Sequence, residues 1–307
     1  MNIITATALP PFTLNLWQDL QVMLSYDFMR QALLAGTLLS IVAGLVGYFV
    51  VLRHQAFAGE SLSDVAFTGA LGGAALGINP FLSLMVTTVV VALAMGGFGE
   101  RLRGRDVAIG TVLSWVLGLG VFFLSLFTAH VSGTGTGFSG VTVLFGNILG
   151  VSADQLRTIA LVSGGVILAL LLLVRPLLFA SLDPDVAAAH GVPVRALGLG
   201  FMVLLAITVS EATLAVGALL VFALLLLPAA IAYQMSSRPF VALGLAAILA
   251  VVFTWIGMAI GFYTGYPSSI CISLLAFVCY VAVIGGSGSI VKIAGKRTRP
   301  FAHESIV

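Results

Sequence analysis

Long apolar runs alternate with short polar breaks along almost the whole chain. An α-helix needs about 20 apolar residues to cross a bilayer. On that measure the pattern predicts spans at 31–52, 56–78, 80–99, 107–129, 156–174, 195–211, 214–235, 240–262 and 267–287. Residues 196–235 form one apolar run, too long for a single crossing at about 1.5 Å per residue. A break is expected at the charged interruption Ser210-Glu211-Ala212-Thr213. A broken or re-entrant helix there makes the count eight, nine or ten. The expected fold class is therefore an all-α, polytopic transmembrane helical bundle. Residues 1–29, with Pro10-Pro11, read as an external or interfacial segment, 30–288 as the membrane domain and 289–307 as a basic tail. Gly36, Ser40 and Gly44, and again Gly69, Gly73 and Gly77, recur every four residues, a spacing that lets helix backbones approach closely. Pro228 is expected to kink its helix.

Composition makes the membrane assignment firm. The 307 residues are 60% hydrophobic and 8% charged, with a mean hydropathy of +1.19, whereas soluble domains carry about 25% charged residues. A net charge of +2 gives no reason to expect nucleic acid or another polyanion as partner. The first basic residue is Arg30, so the start lacks the positive region of a cleavable signal. Cys271 and Cys279 lie eight residues apart in an apolar run and read as core residues.

The placement of the basic residues is more telling than their number. With the segment after the first span inside, Arg53, Arg101, Arg103, Arg105, Arg175, Arg195, Arg238, Lys292, Lys296, Arg297 and Arg299 all fall on one side, and Arg30 and Arg157 on the other. Basic loops stay in the cytoplasm, which puts the N-terminus outside, the C-terminus inside and the number of crossings at an odd value.

Of the acidic residues, only Glu60, Asp64 and Glu211 fall within or near spans. Intramembrane carboxylates are costly and mark function by default. Glu60 and Asp64 are four residues apart, on one helix face. Asp64 is eleven residues beyond Arg53, roughly half a hydrocarbon core at about 1.5 Å per residue. No Lys or Arg within a span offers a partner, so three readings stand open. The pair coordinates a metal cation in transit, relays protons, or is structural. Oxygen donors without His or Cys suit hard to borderline divalent ions. Glu211 is a weaker third candidate, which either caps a helix at an outer turn or helps receive an ion. His130 near an outer helix end is a candidate entry ligand or a structural residue, and His54 and His190 belong to inner loops. The glycine-rich stretch 132–140 lacks the Lys-Ser/Thr of a phosphate loop. No catalytic constellation or zinc-binding spacing is present in the sequence, and no enzyme activity is expected.

The loop at 175–195 carries a small helix with its own start and stop. Asp183 can cap it, Pro184 suits the first position, Asp185 follows, the alanines through Ala189 favour helix, and Gly191 can close it. It is either a structured loop or a docking element for a soluble partner.

Four stretches taken together resemble the permease subunits of the ABC-3 family, ATP-driven importers of zinc, manganese and iron(II). They are Tyr48-Phe-Val-Val-Leu-Arg53 leading into Phe57-Ala-Gly59-Glu60-Ser-Leu62-Ser63-Asp64, Leu144-Phe-Gly-Asn-Ile-Leu-Gly-Val-Ser152, Asp183-Pro184-Asp185 through Gly191-Val-Pro193, and Val216-Gly-Ala-Leu-Leu-Val running on to Pro228. The resemblance implies a coupling helix at 183–191 and a metal pathway at Glu60 and Asp64. It implies two separate ATPase subunits that hydrolyse ATP, a second permease copy or paralogue, and an extracellular or periplasmic metal-binding protein. It implies a bacterial plasma membrane location and no cofactor bound by this subunit. The chain departs from the family's Gly-Asp-Ala-Leu-Ser-His stretch twice, with Glu60 for aspartate and Asp64 for histidine, and the second change either tilts the expected cargo towards Mn2+ or Fe2+ over Zn2+ or means that metal passes without the usual site. A related fold serves siderophore and cobalamin importers. The rival class is a proton-coupled secondary transporter.

Overall fold

The computed structural model describes residues 21, 23–98, 105–131, 146 and 148–296. Most of the N-terminal segment, the charged residues Glu100, Arg101 and Arg103, the glycine-rich stretch 132–140, the side chain of His130 and the end of the basic tail lie outside the described residues. The described elements are α1 (Asp27–Leu52), α2 (Ala56–Ala75), α3 (Pro80–Phe98), α4 (Arg105–Val131), a 3-10 turn at Ile148–Gly150, α5 (Ala153–Leu182), α6 (Pro184–Ala189), α7 (Val194–Val216), α8 (Ala218–Met235), α9 (Pro239–Thr264) and α10 (Ser268–Lys296). Among the described residues there is no strand, and the chain is an all-α bundle. Seven of these helices are long and apolar enough to cross a membrane. α2, which carries the carboxylates, and α8, with 18 residues, pack among them and bring the long helices to nine among the described residues.

Close backbone approaches fix the helix directions. Gly36 meets Thr254 and Gly44 meets Ala246 and Ala247, so α1 and α9 run antiparallel. Gly257 meets Ile272 and Gly261 meets Ser268, which makes α9 and α10 an antiparallel hairpin. Gly69 and Gly73 face α3 at Leu84 and Ser83, whereas Gly72 and Thr68 face α4 at Phe123 and Gly120. The spacing motifs thus act as packing seams, except that Gly77 lies beyond the end of α2 with open space around it. These pairings gather Arg53, Arg105, Arg195 and Arg238 at one end of the bundle. Arg30 and Arg157, at the opposite helix starts, are each matched three residues away, by Asp27 at 3.5 Å and Asp154 at 3.2 Å.

α1 is the hub. It packs against α9, α8, α5 and α7 but hardly touches α2, its neighbour in sequence. The α1–α2 turn instead throws α2 outwards onto α3 and α4. α7 touches both groups.

The expected break at 210–213 is not there. α7 continues through it to Val216, and the chain breaks at Gly217, whose φ of 89° and ψ of 148° suit glycine alone. The polar residues upstream do not interrupt the helix, and its two threonines return their hydrogen bonds to the helix itself. Thr208 and Thr213 hydroxyls donate to the carbonyls of Leu204 and Val209, at 2.8 and 2.7 Å, a bond that keeps a hydroxyl inside a helix. Gly146 seats directly on the Val216–Gly217 peptide, where a Cβ would overlap the backbone. Pro228 sits inside a continuous α8, and α10 runs helical to Lys296, well past the expected span end at 287.

Candidate metal pathway

α2 is built from residues that pack and residues that do not. Its buried face holds Ala58, Gly59, Leu62, Val65, Ala66 and Ala70. Its buried hydroxyls are satisfied. Ser61 donates to the Phe57 carbonyl at 2.8 Å and Ser63 to the Ala218 carbonyl at 2.7 Å. What remains is a stripe of Phe57, Glu60, Asp64 and Phe67, spaced at three and four residues. Phe57 and Glu60 are exposed, and Asp64 and Phe67 are half-buried. The stripe points away from the core of the protomer. Neither carboxylate has an ion-pair partner, and no third His, Cys, Asp or Glu joins them among the described residues.

The bond from Ser63 has a consequence for the site. It ties α2, one residue before Asp64, to the first residue of α8, just past the Gly217 break. Gly146 is seated on that same break. Gly146, the discontinuity in the α7–α8 run and the carboxylate helix therefore form one contiguous stack. Interrupted helices beside polar groups are how membrane proteins place backbone dipoles at depth. Sequence reading did not single out Ser63 or Gly217 individually. A hydroxyl looks like filler in an apolar helix, and one glycine among 35 carries no local sign of positive φ.

Glu211 is elsewhere. It is 2% exposed within α7, and its Oε1 accepts a 2.8 Å hydrogen bond from the Ser163 hydroxyl of α5. Its Oε2 has no partner among the described residues. The expected role as a cap at an outer turn is therefore incorrect, because the helix runs on five residues past it. His54 occupies the α1–α2 turn with φ of 53°. His190 ends α6, its Nδ1 2.8 Å from the Val186 carbonyl oxygen.

α6 has the conformation its residues favour. Asp183 Oδ1 accepts from the Val186 amide at 3.0 Å, Pro184 takes the first position, and Gly191 turns the chain at φ of 80° with its amide donating to Ala188. Asp185 and Ala189 are exposed and Ala187 is buried. The short helix lies at the arginine end, between α5 and α7.

A nearly all-helical bundle with seven helices long and apolar enough to cross a membrane is the architecture of a multi-pass membrane protein. The chain belongs to the ABC 3 transport family, whose model matches residues 25–286. It is 34% identical to the manganese transport system membrane protein MntC of Halalkalibacterium halodurans, over 75% of this chain and 77% of the relative. It is 29% identical to the high-affinity zinc uptake system membrane protein ZnuB of Haemophilus influenzae, over 82% and 96%. Among solved structures it is similar to PsaBC from Streptococcus pneumoniae in complex with Fab, with a TM-score of 0.76 and 26% identity over 87% of this chain and 95% of that one.

Proposed function

We propose that this chain is the permease of an ATP-driven importer of divalent transition-metal ions, in which Glu60 and Asp64 hold the ion during its passage. The observation that carries this is the outward stripe on α2. Two carboxylates without a counter-charge among the described residues, on a face that the protomer covers only in part, are untenable against lipid. They are reasonable along a hydrated path between two permease copies. A pair of carboxylates is also too few for a divalent ion, which takes four to eight ligands depending on the metal. A second copy or paralogue facing the first would double the set.

Oxygen-only donors favour manganese or iron(II) over zinc, for which imidazole and thiolate compete well. Two ATPase subunits dock at α6, on the cytoplasmic side of a bacterial plasma membrane, and an external binding protein delivers the ion. The same arrangement puts the N-terminus outside and the C-terminus inside.

The test is uptake by the assembled transporter in proteoliposomes. Glu60→Gln with Asp64→Asn should lower Mn2+ uptake at least tenfold while the complex still assembles and hydrolyses ATP. Unchanged uptake would remove the pair from the pathway. Uptake that proceeds without ATPase subunits would point instead to a secondary transporter.

A further inference from the structure

The proposed coupling helix and the carboxylate stripe are on different parts of the chain, and a specific contact joins them. α7 begins after a short turn at His190–Pro193 that closes α6. Two turns into α7, Phe201 is 1% exposed. It packs against the last turn of α1. The Phe49 ring lies 6.1 Å away at 58°, and the Arg53 guanidinium lies over the Phe201 ring at 5.3 Å from its centroid. Phe49 and Arg53 are four residues apart on the same helix face, so Phe201 meets both. One turn earlier on α7, Gly198 lies against the same guanidinium, and a Cβ there would sit 3.9 Å from Arg53 Nη2, an ordinary van der Waals contact.

The turn from Arg53 into α2 is stiff. Arg53 caps α1, with its amide donating to the Phe49 carbonyl at 2.9 Å. The His54 amide donates to Val51 and the Gln55 amide to Val50, at 3.1 and 2.8 Å. This double closure with a left-handed residue in the middle is a Schellman turn. Gln55 is buried and its carbonyl accepts from Gly59, in the first turn of α2. Glu60 comes next. From Phe201 to Glu60 there is no loose segment, only ring, guanidinium, a closed turn and helix. α1 and α2 barely touch otherwise, so their relative angle is set through this turn and through α7 and α8, which each pack on both helices.

We propose that Arg53 and Phe201 form the contact through which α7 sets the angle of α2, so that displacement of α6 by a docked ATPase reaches Glu60 and Asp64. Arg53 and Phe201 are thus positioning residues and touch no metal. The inference rests on the importer function proposed for the chain. A cation stacked on a ring, partly shielded from water, is directional enough to pass on a rotation, and lysine reproduces the charge without the planar stack.

The experiment uses the permease assembled with its ATPase subunits in proteoliposomes, with Mn2+ as the transported probe. Uptake and ATP hydrolysis are measured on the same samples. Phe201→Leu and Arg53→Gln should each leave basal ATP hydrolysis within about twofold of the wild type and lower Mn2+ taken up per ATP at least fivefold. The double variant should be no worse than either single one, because both remove the same contact. Phe201→Tyr keeps the ring and should recover most of the ratio, and Arg53→Lys only part of it. If uptake and hydrolysis fall in parallel, or uptake per ATP is unchanged in both single variants, or the two defects multiply, the contact is packing only and the proposal fails. Failure of the importer reading itself is separate, since the wild-type complex would then take up no Mn2+.

Discussion

α1 and α2 are consecutive, similar in make-up and opposite in use. Both are rich in glycine, alanine and small hydroxyl residues. α1 spends these on contact. Beyond Arg30 it carries no charge, its glycines admit the backbones of α8 and α9, and its buried Ser40 hydroxyl hydrogen-bonds with Thr254 at 2.5 Å. α2 packs its buried face as tightly and leaves the stripe that carries its carboxylates only partly covered. The contrast separates two kinds of polarity in an apolar chain. Hydroxyls that return their hydrogen bond to a nearby carbonyl are cheap and structural. Carboxylates with no such partner need water, a cation or a second chain.

The largest expected effect lies in α1. Any side chain at Gly47 would overlap the Leu225 carbonyl of α8, so Gly47→Leu must force the hub helix from its neighbour. Such overpacking should cost about 3 kcal/mol or more and yield little monodisperse protein on size exclusion. A well-folded Gly47→Leu protein would contradict the hub assignment. In α2 the comparable change is chemical. Asp64→His should leave thermal unfolding within about 3 °C of wild type and move competition uptake towards Zn2+ over Mn2+ by several-fold. An unaltered preference would mean that Asp64 does not touch the ion.

Serine to alanine gives the finest comparison. Ser40→Ala in α1 and Ser63→Ala in α2 each remove one buried hydrogen bond, worth about 1 kcal/mol. Both should lower the melting temperature similarly. Only Ser63→Ala, which frees the α8 start beside Asp64, should also reduce uptake, by about two- to fivefold. Equal uptake in the two variants would show that the Ser63–Ala218 bond is structural alone. The smallest effect is expected at Glu211. The Ser163 hydroxyl can donate to a glutamine carbonyl as it does to the carboxylate, so Glu211→Gln should keep uptake within about twofold. A large loss of uptake would return Glu211 to the pathway.

Much of the fold was legible in the chain because membranes simplify the code. Apolar run length gives the helices directly, since a continuous apolar segment satisfies its own backbone in lipid only as a helix. The short helix at Pro184–Ala189 was visible because its cap, its proline and its terminal glycine are local signals. The carboxylate pair stood out because charges are so few. The α7–α8 break was misplaced for a physical reason. Polar residues at 208–213 look like an interruption, yet they are buried in a continuous helix in which Thr208, Thr213 and Glu211 Oε1 are hydrogen-bonded, whereas Gly217 breaks the helix through a backbone angle that leaves no mark in polarity. The Arg53–Phe201 contact was likewise hidden, because Arg53 served only to mark the inner side and nothing in the sequence sets Phe201 apart from the other apolar positions of its run. Which face of α2 stays uncovered depends on how α3, α4, α7 and α8 pack around it, and that is settled only in three dimensions.

The central claim is that the ion rests on Glu60 and Asp64. Equilibrium Mn2+ binding to the nucleotide-free transporter in lipid nanodiscs tests it without reference to flux, by the loss of the free-ion electron paramagnetic resonance signal. The wild-type complex should withdraw Mn2+ from solution, and Glu60→Gln with Asp64→Asn should weaken that binding at least tenfold. Equal binding by the two proteins would contradict the account.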